Sequence, residues 1–316
     1  MKVIFVSSGN SGDLKILVRN QATSLRKQGL HVDHFLIRGR GLIGYLRNVL
    51  RLRKVLKSGN YDLVHAHYSF SGYITTMAGC KSLVVSLMGS DAYQGSLMRF
   101  AERLCYACFW KKTIVKSHEM KALLKMPEAH VIPNGVDLDV FFPMLKQVAR
   151  KHINYQTNKK LILFVADPLR PEKNFKLAQQ AVQNLNRIDI ELMPVFNVTP
   201  SAIPFYMNAA DVLLLTSEYE GSVNVIKEAM ACNLSIVSTD VGDVKRNISG
   251  VRGCYICEKN HDSLAEGLVE ALKVESISNG REKLVSLKLD SVSIAKQIIA
   301  VYEQVSGKSQ TRSNNN

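Results

Sequence analysis

Short apolar runs alternate with segments whose apolar residues recur at helical spacing from the start of the chain. In the first half the apolar runs predict six strands, at residues 2–7, 31–37, 62–66, 82–87, 113–116 and 130–132. Helical spacing appears at 20–28, where Gly29 ends the pattern, and at 42–57. Strands separated by helices are typical of a parallel sheet covered on both faces.

The same alternation begins again after Phe142-Pro143. Predicted strands lie at 161–165, 190–196, 211–216 and 234–238, and predicted helices at 175–184, 223–232, 263–274 and 292–304. The fold class predicted is therefore α/β, with two Rossmann-like, doubly wound domains at 1–142 and 143–305. The turn-rich segment 134–143 is the expected linker, and 306–316 is a polar tail that we expect to be disordered.

Two such domains facing each other predict a cleft, because open parallel sheets bind ligands at the carboxyl ends of their strands. Loops from both sheets would then meet there, which suits a donor and an acceptor. The chain of 316 residues is long enough for two ordinary cores, with 46% hydrophobic residues. Fold alone does not give the chemistry.

Positive charge is concentrated in the first half of the chain. Residues 1–142 contain 20 Lys and Arg against 9 Asp and Glu, a balance of +11 out of a total of +14. No nucleic-acid motif accompanies this charge, and aromatic residues do not interleave with it. We therefore expect an anionic membrane surface or a phosphorylated acceptor as the partner, and no nucleic acid.

The apolar runs are too short to span a bilayer, which takes about 18 residues, and 1–6 is too short for a signal peptide. We expect a cytoplasmic protein with peripheral contact at the inner face of the membrane. Segment 42–57 carries Arg and Lys beside an apolar stripe (Leu42, Tyr45, Leu46, Val49, Leu52 and Leu56). We expect the stripe to pack against the sheet and the basic residues to attract anionic lipid.

The most informative segment follows the apolar strand at 211–216. Gly221 and Ser222 are predicted to open a helix there, and a helix start offers unpaired N–H groups to a diphosphate. Glu220 precedes the helix and Glu228 lies about two turns into it, so their backbones are on the order of 10 Å apart. That separation is similar to the distance between the sugar and the ribose of a nucleotide sugar.

The segment Ser217–Ala231 resembles the E-x7-E signature of the retaining glycosyltransferases of family four. The segment reads S-x-x-E-G-x-x-N-x-x-x-E-A-M-A, which is similar to the sequence that surrounds the signature in that family. Further motifs follow in the family's order: Tyr-Asp-Leu-Val-His-Ala-His at 61–67, Val-Ile-Pro-Asn-Gly-Val-Asp at 131–137, Arg-Pro-Glu-Lys-Asn at 170–174 and Ser-Thr-Asp-Val-Gly at 238–242. The resemblance covers nearly the whole chain.

The resemblance implies a GT-B fold and transfer of a sugar from a nucleotide-diphosphate donor with retention, without a metal or other cofactor. It implies that Glu220 holds the donor sugar, Glu228 holds the ribose, and Arg170 and Lys173 neutralise the diphosphate. The remaining donor-binding residues that it implies are Gly221, Ser222, Val223, Asn224, Gly9, Asn10, Gly12, Phe196 and Asn197. The implied product is a glycan or a lipid-linked glycan of cell-envelope polysaccharide synthesis, with a hexose transferred.

The chain departs from the family on the acceptor side. Many relatives carry His-Gly-x-Asp where this chain has Met88-Gly89-Ser90-Asp91, so Asp91 or His118 is the candidate for polar contact with the acceptor. Two alternatives remain open: a sugar-nucleotide epimerase or phosphorylase, and a non-catalytic binding module with the same fold.

Three patterns with the spacing of metal ligands are interpreted as structural. The pairs Cys105/Cys108 and Cys254/Cys257 lie far apart in apolar surroundings, which favours free thiols over a zinc site. Asp137-Leu138-Asp139 falls in the linker, and His65-Ala66-His67 ends a predicted strand. No metal site is predicted from them.

Overall fold

The computed structural model describes residues 1–10, 12, 14–39, 41–92, 95–274 and 277–307, without the side chains of residues 41, 42 and 45. Residues 308–316 of the predicted polar tail lie outside the described residues. The chain forms two compact units. The first unit comprises Met1–Gly135 and the segment that begins at Ser291, and the second unit comprises Val136–Asp290.

The sheet of the first unit is parallel and has six strands. In chain order they are β1 (Lys2–Ser8), β2 (His31–Ile37), β3 (Leu63–His67), β4 (Leu83–Ser86), β5 (Lys112–Val115) and β6 (His130–Val131). Their spatial order is β2-β1-β3-β4-β5-β6, and Val3 of β1 pairs with Val32 on one side and Leu63 on the other. All five residues of β3 are buried, as expected for a central strand covered on both faces.

Six helices follow these strands. They are α1 (Ile16–Lys27), α2 (Gly41–Ser58), α3 (Ser69–Met77), α4 (Gly89–Ala92), α5 (Ser96–Cys108) and α6 (His118–Leu124). The α6 helix begins with a Ser117 hydroxyl that accepts a hydrogen bond from the backbone N–H of Met120. This cap satisfies one of the N–H groups that a helix start leaves without a partner.

The sheet of the second unit is also parallel and has five strands. They are β7 (Lys160–Phe164), β8 (Ile190–Pro194), β9 (Val212–Leu215), β10 (Ser235–Thr239) and β11 (Cys254–Cys257), in the spatial order β11-β10-β9-β7-β8. The helices of this unit are α7 (Lys146–His152), α8 (Phe175–Gln183), α9 (Ile203–Ala209), α10 (Asn224–Ala231), α11 (Val244–Ile248), α12 (His261–Lys273) and α13 (Gly280–Ser286).

The last helix, α14 (Ser291–Ser306), belongs to the first unit. Its apolar face (Ile294, Ala295, Ile298, Val301 and Tyr302) is buried in the same cluster as Val3 and Phe5 of β1. The sequence-based boundary, which assigned 143–305 to the second domain, therefore differs from the observed division. Helical spacing shows that α14 has a buried face, but it does not show which sheet that face covers.

The ten predicted strands are all present, each within two residues of its predicted bounds, which confirms the predicted α/β class with two parallel sheets. Strand β11 was not predicted because its four residues lie at the sheet edge and were interpreted only as a thiol pair. Eight of the helices, all of 13 residues or fewer, were not predicted either. Within the described ranges, every helix falls short of the length or the apolarity that crossing a bilayer requires.

Candidate active site

Three loops meet at one edge of the second sheet. Strands β10, β9 and β7 are neighbours and run parallel, so the loops that follow them leave the sheet side by side. The loop after β7 contains Arg170 and Lys173, the loop after β9 contains Glu220, and the loop after β10 contains Gly242. Three motifs that are 20 or more residues apart in sequence are therefore brought together by strand order.

Hydrogen bonds fasten these loops to one another. The Thr216 hydroxyl lies 2.9 Å from the Lys173 carbonyl oxygen and 3.0 Å from that of Asn174. The Glu218 N–H donates to the Glu172 carbonyl at 2.9 Å. The Thr239 hydroxyl donates to the Ser217 carbonyl at 3.0 Å. These bonds cross from loop to loop, so they hold the loops in one arrangement before any ligand arrives.

Lys173 and Glu220 form an ion pair at this edge. The Lys173 Nζ contacts Glu220 Oε1, and the Ser217 hydroxyl donates to the same oxygen at 2.9 Å. The two side chains are only 15% and 16% exposed, so water screens their attraction less than it would on an open surface. The cation and the carboxylate that the sequence singled out are thus direct neighbours.

Gly242 allows the loop after β10 to lie against the backbone that carries Glu220. Its φ is +55°, which glycine adopts readily and other residues rarely do. A Cβ at this position would lie 2.8 Å from the Gly221 carbonyl oxygen and 3.0 Å from that of Glu220. Only a residue without a side chain fits both the conformation and the space.

The helix start differs from the sequence-based expectation. Helix α10 begins at Asn224, and Gly221 and Ser222 belong to the preceding loop. The Asp243 carboxylate lies at this start, where it accepts bonds from the Val223 N–H at 3.0 Å and the Ser222 hydroxyl at 2.7 Å. A negative group is favourable there because the helix dipole is positive at its N-terminus.

A lysine that sequence reasoning missed completes this arrangement. Lys227 is fully buried, and its Nζ donates to the Ser222 hydroxyl at 2.9 Å. Burial lowers the pKa of Lys227, and the charges of Asp243 and Glu228 oppose that shift. The signal was available in part, because Lys227 lies inside the E-x7-E segment and Asp243 directly follows the quoted Ser-Thr-Asp-Val-Gly motif.

Glu228 is the fifth residue of α10, so it lies just over one turn into the helix, nearer the start than expected. Burial raises the pKa of its carboxyl to about 7, while the adjacent Lys227 acts in the opposite direction. A carboxyl with this pKa accepts hydrogen bonds when ionised and donates one when protonated. Both forms can hydrogen-bond to a hydroxyl group.

The other predicted donor residues lie at the rim of this edge. The Arg170 side chain is 55% exposed, and its Nε donates to Glu172 Oε1 at 2.8 Å. A backbone hydrogen bond, and after it this side-chain bond, lowers the pKa of Glu172. Phe196 and Asn197 follow β8, the neighbour of β7, and both are exposed. Asn197 has a φ of +53°, a conformation that asparagine tolerates.

In the first unit, two backbone N–H groups of the predicted phosphate loop already donate hydrogen bonds to backbone carbonyl groups. The Gly9 N–H donates to the Ile37 carbonyl at 2.8 Å, and the Gly12 N–H donates to the Gly9 carbonyl at 3.2 Å. The Asn10 side chain exchanges two bonds of 2.8 Å with the backbone of Gly39. The loop is thereby tied to the segment after β2, and its binding of phosphate stays a prediction.

Asp91 is a buried carboxylate that holds its own loop. One oxygen accepts from the Ser69 N–H at 3.2 Å and from the Ser69 hydroxyl at 2.9 Å, and the other accepts from the Met88 N–H at 2.6 Å. Burial raises the pKa of Asp91, and these hydrogen bonds oppose the rise. His118 is exposed at the start of α6, and α6 packs against α4, the helix that carries Asp91.

Glu102 on α5 was not anticipated from the sequence. It is fully buried, and neither carboxylate oxygen meets a hydrogen-bond partner within the described part of the chain. Burial raises its pKa to about 7, with a further contribution from the charge of Asp91. Glu102 belongs to no recognisable motif, so nothing in the sequence around it indicated that its side chain is buried.

The residues with metal-like spacing are used structurally. His65 Nδ1 lies 2.6 Å from the Tyr302 hydroxyl and its Nε2 lies 2.7 Å from the Ser86 hydroxyl. Burial, and after it the charge of Lys116, lowers the pKa of His65 well below its usual value. Asp137 Oδ1 accepts the N–H of Asp139 at 3.0 Å in a turn.

Comparison with known families matches both halves of the chain. Residues 2–140 match the model described as Glycosyltransferase Family 4, and residues 136–274 match the model described as Glycosyl transferases group 1. Together the two matches run from the first strand to the end of α12, and they include every candidate residue of the second unit.

Two curated glycosyltransferases are similar to this chain over most of its length. A D-inositol 3-phosphate glycosyltransferase of Thermobispora bispora is 24% identical over 76% of this chain and 70% of the relative. The UDP-Gal:alpha-D-GlcNAc-diphosphoundecaprenol alpha-1,3-galactosyltransferase of Escherichia coli is 24% identical over 79% of this chain and 78% of the relative.

Solved structures share the fold. Sucrose-phosphate synthase from Thermosynechococcus elongatus superposes with a TM-score of 0.77 at 17% identity, covering 98% of this chain and 100% of that structure. The Anabaena protein HepE in complex with UDP-glucose superposes with a TM-score of 0.67 at 16% identity, covering 95% and 99%.

Proposed function

The chain is a family 4 glycosyltransferase that uses a nucleotide sugar, and on that premise we propose that it transfers a hexose, with retention, to a glycan or lipid-linked acceptor. The observation that carries the proposal is the Lys173–Glu220 ion pair at the loop edge of the second sheet. It places a cation and a hydrogen-bonded carboxylate side by side where parallel sheets bind ligands.

The donor chemistry follows from these groups. When the bond between the sugar and the diphosphate breaks, its electron pair stays on the phosphate oxygen, and Lys173 with Arg170 stabilises that charge. Glu220 accepts hydrogen bonds from the sugar hydroxyls, and Glu228 binds the ribose. Gly221, Ser222, Val223 and Asn224 form the loop and helix start between the two carboxylates, and Phe196 with Asn197 contacts the base.

Retention follows if the acceptor attacks on the face from which the diphosphate leaves. The acceptor oxygen forms the new bond to the anomeric carbon, and its proton passes to the departing phosphate oxygen. Such a reaction needs no carboxylate nucleophile, which agrees with Glu220 being held by Lys173 and Ser217. The carboxylate then acts by orienting the sugar.

The acceptor assignment rests on two observations. The Escherichia coli relative is named for an acceptor linked to diphosphoundecaprenol, which is a lipid-linked, phosphorylated glycan. In this chain, residues 1–142 carry a charge balance of +11. A basic unit attracts a phosphorylated acceptor at a membrane surface, which supports a role in cell-envelope polysaccharide synthesis with peripheral membrane contact.

A thermal-shift screen with UDP, GDP and ADP and their hexose conjugates tests the donor. A ligand that binds only the folded chain raises the melting temperature by mass action. We expect one base to stabilise the protein and Lys173→Ala to abolish the shift, whereas Lys176→Ala, an exposed lysine three residues on, leaves it intact.

Product analysis then separates the three reaction classes. Transfer with retention gives an acceptor product whose anomeric configuration matches that of the donor in its NMR spectrum. An altered sugar without acceptor gain identifies an epimerase or phosphorylase. Tight nucleotide binding without turnover identifies a binding module, and no shift with any nucleotide contradicts the proposal.

A further inference from the structure

The outward face of α2 carries large apolar side chains that are exposed among the described residues. Leu52 is fully buried on the inner face and joins the core of the first unit. On the opposite side, Ile43 is 70% exposed, Leu46 is 39% exposed and Leu50 is 65% exposed. Spacings of three and four residues place these three on one side of the helix.

This exposed stripe corrects part of the sequence-based expectation. Val49, Leu52 and Leu56 pack against the sheet as expected, but Leu46 points outward. The side chains of Leu42 and Tyr45 lie outside the described residues. Helix α2 therefore has two apolar faces, and only one of them is needed for the core.

The charge around the stripe has one sign. Helix α2 contains no acidic residue and five cations: Arg47, Arg51, Arg53, Lys54 and Lys57. Between Asp33 and Asp91 the single acidic residue is Asp62, against eight cations, which are these five with Arg38, Arg40 and Lys81. At 100° per residue, Arg47, Lys54 and Lys57 lie on the same outward side as the apolar stripe.

Neighbouring helices extend the apolar exposure. Helix α3 packs beside α2, and its Phe70 and Met77 are 47% and 51% exposed. Helix α5 adjoins α3, because the Tyr73 hydroxyl bonds to the Met98 carbonyl at 3.4 Å. It exposes Leu97, Phe100 and Leu104 at helical spacing. Exposed apolar side chains on three helices of the first unit exceed the single scattered residues that are normal on a protein surface.

The cations continue into a cavity at the end of α2. Arg53, Lys57 and Lys81 line this cavity of about 450 Å³ together with Tyr61 and Cys80. Its lining contains no acidic residue. The cavity is large enough for a phosphate group, and three ammonium or guanidinium groups attract one.

We propose that this face of the first unit docks on an anionic lipid bilayer, with Ile43, Leu46 and Leu50 inserted between the headgroups and the cations bound to lipid phosphates. Charge complementarity selects the occupant, because a bilayer supplies negative charge and apolar depth together. A second copy of the chain would bring the same positive charge and be repelled.

Vesicle co-sedimentation of the full chain tests the proposal, with phosphatidylcholine vesicles and with vesicles that contain phosphatidylglycerol. We expect binding to the anionic vesicles at least tenfold tighter than to the neutral ones. Ile43→Ser with Leu50→Ser should weaken it by tenfold or more, since two inserted side chains are lost. Arg47→Gln with Lys54→Gln should weaken it by about 25-fold, at about fivefold per charge.

Matched variants elsewhere serve as controls. Ile188→Ser with Val285→Ser removes two exposed apolar residues of the second unit, and Lys176→Gln with Lys296→Gln removes two exposed cations. Both should bind vesicles like the unmodified chain, and circular dichroism melts establish that each variant is folded. The assay needs neither nucleotide nor acceptor, so its outcome is independent of the proposed transferase chemistry.

Three outcomes would overturn the proposal. The first is equal affinity for neutral and anionic vesicles, or no binding to either. The second is vesicle binding that neither α2 variant reduces more than its control. The third is a dimer in sedimentation equilibrium that Ile43→Ser with Leu50→Ser dissociates, which would assign the stripe to a second copy of the chain.

Discussion

Titratable side chains have different kinds of partners in the two units. In the second unit, charged groups are near groups of opposite charge: Lys173 contacts Glu220, and the charges of Asp243 and Glu228 favour the charged form of buried Lys227. In the first unit, His65 is hydrogen-bonded to two hydroxyls, and the Asp91 carboxylate accepts hydrogen bonds from Ser69 and Met88.

The difference has consequences for binding and for stability. Paired charges at a partly exposed edge can exchange a partner for a charged ligand, so the second unit is suited to a diphosphate and its sugar. Burial lowers the pKa of His65 and raises that of Asp91, so the stability of the first unit depends on pH. The second edge is therefore suited to exchanging charged partners, whereas burial at the first sheet links stability to pH.

The largest effect is expected from Glu220→Gln in the second unit. The amide keeps the shape but loses the charge that balances Lys173 and accepts from the sugar, so kcat should fall by about 10²- to 10³-fold. Steady-state kinetics with the nucleotide sugar selected by thermal shift measure it. Glu270→Gln, an exposed carboxylate paired with Lys273, is the control. Equal rates for both variants would remove Glu220 from the reaction.

The next effect is expected from Glu102→Gln in the first unit. The pKa of Glu102 is about 7 in the folded chain against about 4.5 when unfolded, so folding disfavours its ionised form. The resulting penalty is absent below about pH 4.5, grows as the pH rises, and is complete above about pH 7. The variant should gain up to about 3 kcal/mol over the unmodified chain between pH 4.5 and 8.

Urea unfolding followed by tryptophan fluorescence measures this gain. The single tryptophan, Trp110, is buried in the core of the first unit, so its signal reports that unit. Glu128→Gln, an exposed carboxylate nearby in sequence, should show no such pH dependence. If the gain in unfolding free energy from Glu102→Gln were the same at about pH 4.5 and about pH 8, the carboxyl would already be ionised at about pH 4.5. That result would contradict the raised pKa.

A smaller effect is expected from Tyr302→Phe on α14. The variant loses the hydroxyl that bonds His65, which should cost about 1 kcal/mol in the first unit. Trp110 fluorescence should therefore detect it, although α14 follows the second unit in sequence. Tyr255→Phe in β11 is the control. An unchanged Trp110 transition in the Tyr302 variant would contradict the assignment of α14 to the first unit.

The sequence predicted the strands well because each buried strand has a recognisable pattern in its own residues. The predicted strands are short segments rich in apolar residues, as burial on both faces of a parallel sheet requires. Glu220 and Glu228 could be singled out for the same reason, since one strand–loop–helix segment contains both. Ser217, the hydroxyl that orients Glu220, lies in that segment too.

The features that the sequence did not predict depend on contacts between residues that are distant in the chain. The Lys173–Glu220 contact joins positions 47 residues apart, and Asp243 reaches Ser222 across 21. The buried partners of α14 and the position of Glu102 likewise carry no local pattern. In α2 the sequence determined a basic amphipathic helix, and only packing decided which of its apolar residues the core would leave exposed. Periodicity specifies that a face exists, whereas its neighbour is chosen by the free energy of the whole fold.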